Sequence, residues 1–158
     1  KQVNGRYAEV TASVSNFVPK PHTPYQWNGM QTREYFHWAH KYLKQRVKLP
    51  TVKVKCHDVE RSLLEGILTR GDRRVAVGLE EAWRRGARLD AWTEYYQPQL
   101  WWDAFEDLAI DVSFWSHRAR PLDELLPWDH IRVKKGREYL AKEQTRSVVQ
   151  LDAMANAV

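Results

Sequence analysis

The chain has 158 residues, 43% of them apolar, and a net charge of +5, which suits a single domain with a modest core. One cysteine excludes an internal disulfide and a cysteine-only metal site, and no window approaches the roughly 18 apolar residues of a membrane span. The positive balance permits an anionic partner without demanding one, because basic residues alternate with acidic ones along the chain.

Tyr7 to Phe17 reads as a strand. Val10, Ala12 and Val14 fall on an apolar face, with Asn16 at its end, and Thr11, Ser13 and Ser15 fall on a small polar face. A lone strand leaves its backbone donors and acceptors without neighbours, and no second strand follows within hairpin distance. Val18, Lys20 and Thr23 each precede a proline, so "VPKPHTP" is a stiff, extended exit. Asn28-Gly29 signals a turn. Thr32 then caps a helix over Gln31 to Leu49, with Tyr35, Trp38, Ala39, Tyr42 and Val47 near one stripe and Pro50 beyond its end.

"TVKVKC", Thr51 to Cys56, alternates as a short strand. Asp58 caps a helix that turns Val59, Leu63, Leu64, Ile67 and Leu68 inward and breaks at Gly71. Asp72 caps the next helix, which carries Val75, Leu79, Ala82 and Trp83, with Gly86 as its C′ residue. "ARLDAW" is a short extended piece. Pro98 opens a helix with Trp101, Phe105 and Leu108 facing inward, and Asp111 caps one further turn. "ARPLDELLPWDHIRV" covers the core irregularly, a polar helix spans about Lys135 to Gln150, and the tail is frayed. The expected class is α+β and mostly helical: one or two strands, then four to five packed helices.

Autonomous chemistry is sparse. The chain has no phosphate loop, nucleophile elbow or glycine-rich dinucleotide turn. His37 and His40 share a helix face, but no third metal ligand stands at a diagnostic spacing, so they read as surface or packing residues. Cys56, His57 and Asp58 are consecutive and point alternately across a strand. They read as a strand end, a turn and a helix cap. Arg70, Arg73 and Arg74 crowd a helix start. They form either an anion site aided by the helix N-terminus or an ion-pair corner that fixes two helices, and the residue pattern favours the corner. "RVKKGR", with Arg84, Arg85 and Arg88, is either an RNA-facing surface or a solvated face, and the pattern favours the solvated face.

"VSNFVPKPHTPYQW", "VKCHDVERSLLEGILTRGDRR", "AWRRGARLDAW" and "LDELLPWDHI" closely resemble, in that order, the C-terminal part of B12-binding-type radical SAM proteins, the group often linked to a radical-SAM-associated C-terminal domain. The resemblance covers about Ala8 to Leu140. "FVPKPHTP" is also similar to the strand-end segment of methylthiotransferase-like radical SAM families. The resemblance implies a fragment of a partial (β/α)6 barrel. Residues 1–50 would be its last strand and helix, residues 51–150 an α-rich C-terminal extension, and residues 151–158 a disordered tail. The opening "KQVNGRYAEV", without methionine, fits an excised piece.

The same resemblance places Asn16, Lys20, His22 and Thr23 at the barrel rim as SAM- or substrate-binding residues, with no catalytic residue in this chain. Three prolines there either present those side chains to a ligand or simply end the strand while Tyr25 and Trp27 pack on the extension. The family's [4Fe-4S] cluster needs three cysteines in a CxxxCxxC loop. With Cys56 alone, this chain holds no cofactor itself. SAM and the cluster, with or without cobalamin, belong to the parent protein. The implied partners are the upstream barrel and a B12-binding-like domain, with RNA by analogy to the methylthiotransferase-like relatives. The expected compartment is the cytoplasm, with no membrane partner.

Overall fold

Two strands far apart in sequence lie side by side. The computed structural model describes residues 2–3 and 5–155. In chain order the elements are β1 (Gln2–Val3), β2 (Arg6–Tyr7), β3 (Val10–Val14), α1 (Arg33–Arg46), β4 (Val52–Cys56), α2 (Val59–Arg70), α3 (Arg73–Arg84), α4 (Pro98–Asp107), a π-helical turn (Ser113–His117) and α5 (Gly136–Ala155). β3 pairs with β4 in parallel, Val10 opposite Val52 and Val14 opposite Cys56, with α1 as the crossover between them. β1 and β2 form a separate antiparallel pair. The protein is α+β, with six helical elements and two two-stranded ladders among the described residues.

The first strand is shorter than the sequence suggests: only Val10–Val14 pairs with β4, and Arg6–Tyr7 belongs to the other ladder. In register, Val10, Ala12 and Val14 lie beside Val52, Val54 and Cys56, and Thr11 and Ser13 lie beside Lys53 and Lys55. Val10 N–H donates to the Thr51 carbonyl at 2.8 Å, and the Val14 carbonyl accepts from His57 N–H at 2.9 Å. In a parallel ladder alternate residues face opposite neighbours. The amides and carbonyls of Thr11 and Ser13 therefore point to the open side. Val10 is 53% exposed, and Thr11, Ala12 and Ser13 are exposed as well.

The helices start where their caps predict. Thr32, Asp58 and Asp72 each accept a backbone N–H in the first turn, and Pro98 stands at the head of α4. Ile67, Val75, Ala82, Trp101, Ala104, Phe105 and Trp115 form the main core between α2, α3, α4 and the π-helical turn. Met30, Phe36, Val59 and Leu63 make a second cluster, and Trp27, Leu126, Trp128 and Leu140 a third. The latter two join residues 1–50 to the rest of the chain.

Several expected core residues lie outside. On α1 only Phe36 is buried. Tyr35, Trp38 and Tyr42 are exposed, Trp38 at 58%, because Phe36 sets the direction that meets α2 and Tyr35 lies about 100° round the helix from it. α3 packs through the small line Val75, Gly78 and Ala82. The Phe105 ring sits so close that a Cβ on Gly78 would come within 2.6 Å of it. Leu79 and Trp83, one residue further round, are left in solvent, as are Leu68 on α2 and Leu108 after α4. "ARLDAW", expected as a short extended piece, is irregular over Ala87–Leu89, with Leu89 at φ 54°, and enters a turn at Asp90. The last helix continues to Ala155, so Leu151–Ala155 are helical where a disordered tail is expected. The remaining tail residues, 156–158, lie outside the described residues.

Candidate functional site

The segment after β3 folds into a corner held by its own polar atoms. Asn16 is buried. Its Nδ2 donates to Ser62 Oγ at 2.9 Å, and its Oδ1 accepts from His40 Nε2 at 2.8 Å. Ser62 Oγ in turn donates to the Asp58 carbonyl at 2.8 Å. This network ties the end of β3 to α1 and α2. Partial burial, with the charge of Lys44 and then His37, lowers the His40 pKa.

Lys20 pairs with Glu65 of α2, and both side chains are about half exposed. Thr23 Oγ1 donates back to the Lys20 carbonyl at 2.8 Å. His22 adopts φ 57°, in the left-handed region, and its N–H donates to Gln26 Oε1 at 2.9 Å. Of the four residues expected at a barrel rim, Asn16 and Thr23 are engaged within the fold, whereas Lys20 and His22 keep partly accessible side chains. Tyr25 and Trp27 do pack on the extension: Trp27 joins the Leu126, Trp128 and Leu140 cluster, and Tyr25 OH meets Ser147 Oγ at 2.7 Å.

The arginine corner is built inward. Arg70 is 0% exposed. It donates to the carbonyls of Trp115 at 3.0 Å and Arg118 at 2.6 Å, and to that of Asn28. Burial, with Arg120 and Arg118 nearby, brings its pKa down to about 10, so it stays charged near neutral pH. Arg74 forks onto Asp72 at 2.8 Å and lies over the Trp115 ring at 4.7 Å. Arg73 is exposed. Arg70 and Arg74 are thus occupied by carbonyls and by Asp72, and the geometry favours a structural corner over an anion cradle at Arg70, Arg73 and Arg74.

Two recesses adjoin the segment after β3. One, of about 700 Å³, lies beyond the carboxyl end of β4 and is lined by Cys56, His57, Asp58, Arg61, Glu65 and Tyr96 among others. Open α/β sheets bind ligands at this end of parallel strands. Its Tyr96 hydroxyl is buried without a partner among the described residues, and burial followed by the charges of Asp58 and Glu60 raises the phenol pKa. The other, of about 240 Å³, lies under His22. Among the described residues no three His, Cys, Asp or Glu side chains converge as a metal site.

Sequence reasoning overlooked Gln26, the buried acceptor that sets the turn. The one available signal was a polar residue between Tyr25 and Trp27 in an otherwise aromatic stretch. Neither a protein-family model, nor a curated protein, nor a solved structure matches the chain.

Proposed function

We propose that this chain is the non-autonomous C-terminal segment of a radical SAM enzyme, supplying rim contacts to SAM or substrate and a helical scaffold behind them. The observation that supports this reading is the open parallel pair. Parallel strands normally sit inside sheets covered on both faces, yet among the described residues β3 has a free edge and an exposed Val10. A preceding parallel strand from the rest of a barrel would satisfy the Thr11 and Ser13 edge. Lys20 and His22 then lie past the carboxyl end of β3, where barrel enzymes place their sites.

With one cysteine in this chain, the [4Fe-4S] cluster belongs to the upstream barrel. The proposed reaction class is RNA or tRNA modification, and the proposed compartment is the cytoplasm, in keeping with a single unpaired cysteine. The test uses the complete protein: Lys20→Ala and His22→Ala should lower SAM-dependent turnover more than they lower the melting temperature. Early-melting variants whose folded fraction turns over normally would make the segment structural and sink the reading.

A second reading has its own observation. Tyr35, Trp38 and Tyr42 form an exposed ladder with ring centroids 5.7 and 5.5 Å apart, ending in Arg46 at 5.0 Å over Tyr42. Lys41, Lys44 and Lys48 lie on the same helix or just after it. Exposed aromatics beside cations suit unpaired bases. Salt-sensitive RNA binding by the chain alone, lost in Trp38→Ala, would favour an RNA-binding module without catalysis.

A further inference from the structure

We infer that Lys55 binds a phosphate group of the substrate inside the proposed barrel. The inference rests on the barrel reading above and adds to it the face that the β3–β4 pair turns inward and the charge that face meets.

β4 alternates in exposure. α1 packs against it, and the side that loses exposure carries Val52, Val54 and Cys56. Successive side chains of a strand point to opposite faces, so Lys53 and Lys55 stand on the face away from α1, both exposed. The register puts Thr11 beside Lys53 and Ser13 beside Lys55 on that same face. In a doubly wound sheet a second helix layer covers this face, and the strands are apolar on both sides. Here such a cover would strip water from two ammonium groups and two hydroxyls, a cost that apolar helix side chains do not offset. The face therefore meets water or polar groups. In a barrel the helices ring the outside, so this face is the inner one.

Enclosure separates the two lysines. Lys53 brings its own counter-charge, because its Nζ lies 2.9 Å from Glu9 Oε2. Lys55 makes no ion pair among the described residues and stands two residues nearer the carboxyl end of β4, the end where barrels bind their ligands. An enclosed ammonium needs an anion beside it. Ser13, across the ladder, adds a hydroxyl donor at the same level. Phosphate oxygens accept from both kinds of donor, and phosphates are the anionic groups of the proposed RNA substrate.

The experiment labels the complete protein and reads each lysine by mass spectrometry. A bulky N-hydroxysuccinimide ester should modify Lys48, exposed just past α1, and leave Lys55 largely unmodified. Formaldehyde with cyanoborohydride is small enough to reach Lys55. Saturating sodium pyrophosphate should slow that methylation by about tenfold, whereas SAM and sodium chloride of equal ionic strength should not. Lys55→Gln should melt at the parent temperature or higher without pyrophosphate, because it no longer encloses an unpaired charge. It should also lose the rise in melting temperature that pyrophosphate gives the parent. Equal modification of Lys55 and Lys48 by the bulky ester would place the face in solvent and overturn the barrel reading together with this inference. Enclosure without protection by pyrophosphate would leave the barrel standing and overturn the inference alone, the partner of Lys55 then being a carboxylate of another strand. Protection by SAM in place of pyrophosphate, or an undiminished pyrophosphate effect on Lys55→Gln, would overturn it as well.

Discussion

Trp128 Nε1 donates to Gln26 Oε1 at 2.7 Å, across 102 residues of sequence. The same oxygen accepts from His22 N–H, so one buried amide sets the turn after β3 and pins the irregular covering segment onto it. Around it Trp27, Leu126, Trp128 and Leu140 close a small apolar cluster. Gln26→Ala leaves two donors without their acceptor, each costing about 1–3 kcal/mol when buried. Urea denaturation should show a loss of about 2–4 kcal/mol. A loss under about 1 kcal/mol would mean that water replaces the amide without penalty.

The partial burial of His40 beside Lys44 and His37 makes stability depend on pH. The folded His40 pKa lies below its ordinary 6.5, first through burial and then through Lys44 and His37. The unfolded chain therefore takes up this proton more readily than the folded one. Stability from this group is complete above about 6.5 and falls as pH drops below it, until the folded imidazole also titrates. His40→Gln keeps a donor for Asn16 Oδ1 but removes the titration. Between about pH 7 and about pH 5, the denaturation midpoint of the variant should fall less than that of the parent chain. Equal falls would assign the acid sensitivity elsewhere.

Two tryptophans separate what periodicity reveals from what it does not. Trp101 is 6% exposed in the main core and donates to Asp90 Oδ2 at 3.1 Å. Trp83 is 54% exposed, with Arg88 4.5 Å over its ring. Trp101→Ala should cost about 3–5 kcal/mol, and Trp83→Ala under about 1 kcal/mol. Comparable losses would show that α3 buries a different face from the one described.

Caps and breakers were legible because they act locally: Thr32, Asp58 and Asp72 bond to backbone within their own first turns, and Gly86 takes φ 108° just past α3. Which side of a stripe meets a neighbour was not legible, because packing partners fix it. On α3 the contact runs along Gly78, where Phe105 leaves no room for a side chain, and a hydrophobicity pattern centred on Leu79 and Trp83 cannot show that. The site divides in the same way. The prolines signalled a stiff exit from β3, but Lys20 pairing with Glu65 and Asn16 bonding to Ser62 depend on the approach of α2. The dense arginines around Gly71 likewise hid the burial of Arg70, whose three carbonyl partners come from two distant segments, Asn28 and Trp115–Arg118.

The open edge of β3 gives the most discriminating prediction. Val10 N–H and the Val14 carbonyl bond toward β4, so Ala12, two residues from each, faces β4 as well, and Ser13 faces outward. Proline removes one amide donor and is tolerated in a strand only where that donor faces away from the ladder. Ser13→Pro should therefore leave the melting temperature of this chain nearly unchanged, whereas Ala12→Pro should lower it by breaking the parallel pair. If a preceding strand docks on this edge in the complete protein, Ser13→Pro should also abolish co-purification of this chain with the upstream polypeptide expressed separately, and Thr11→Pro should do the same. Those two variants would then be folded yet unable to assemble. Should Ser13→Pro assemble as well as the parent sequence, the edge is not a docking strand, and the exposed pair is a terminal feature of this fold. Should Ser13→Pro unfold the chain as Ala12→Pro does, the outward orientation of its amide is wrong.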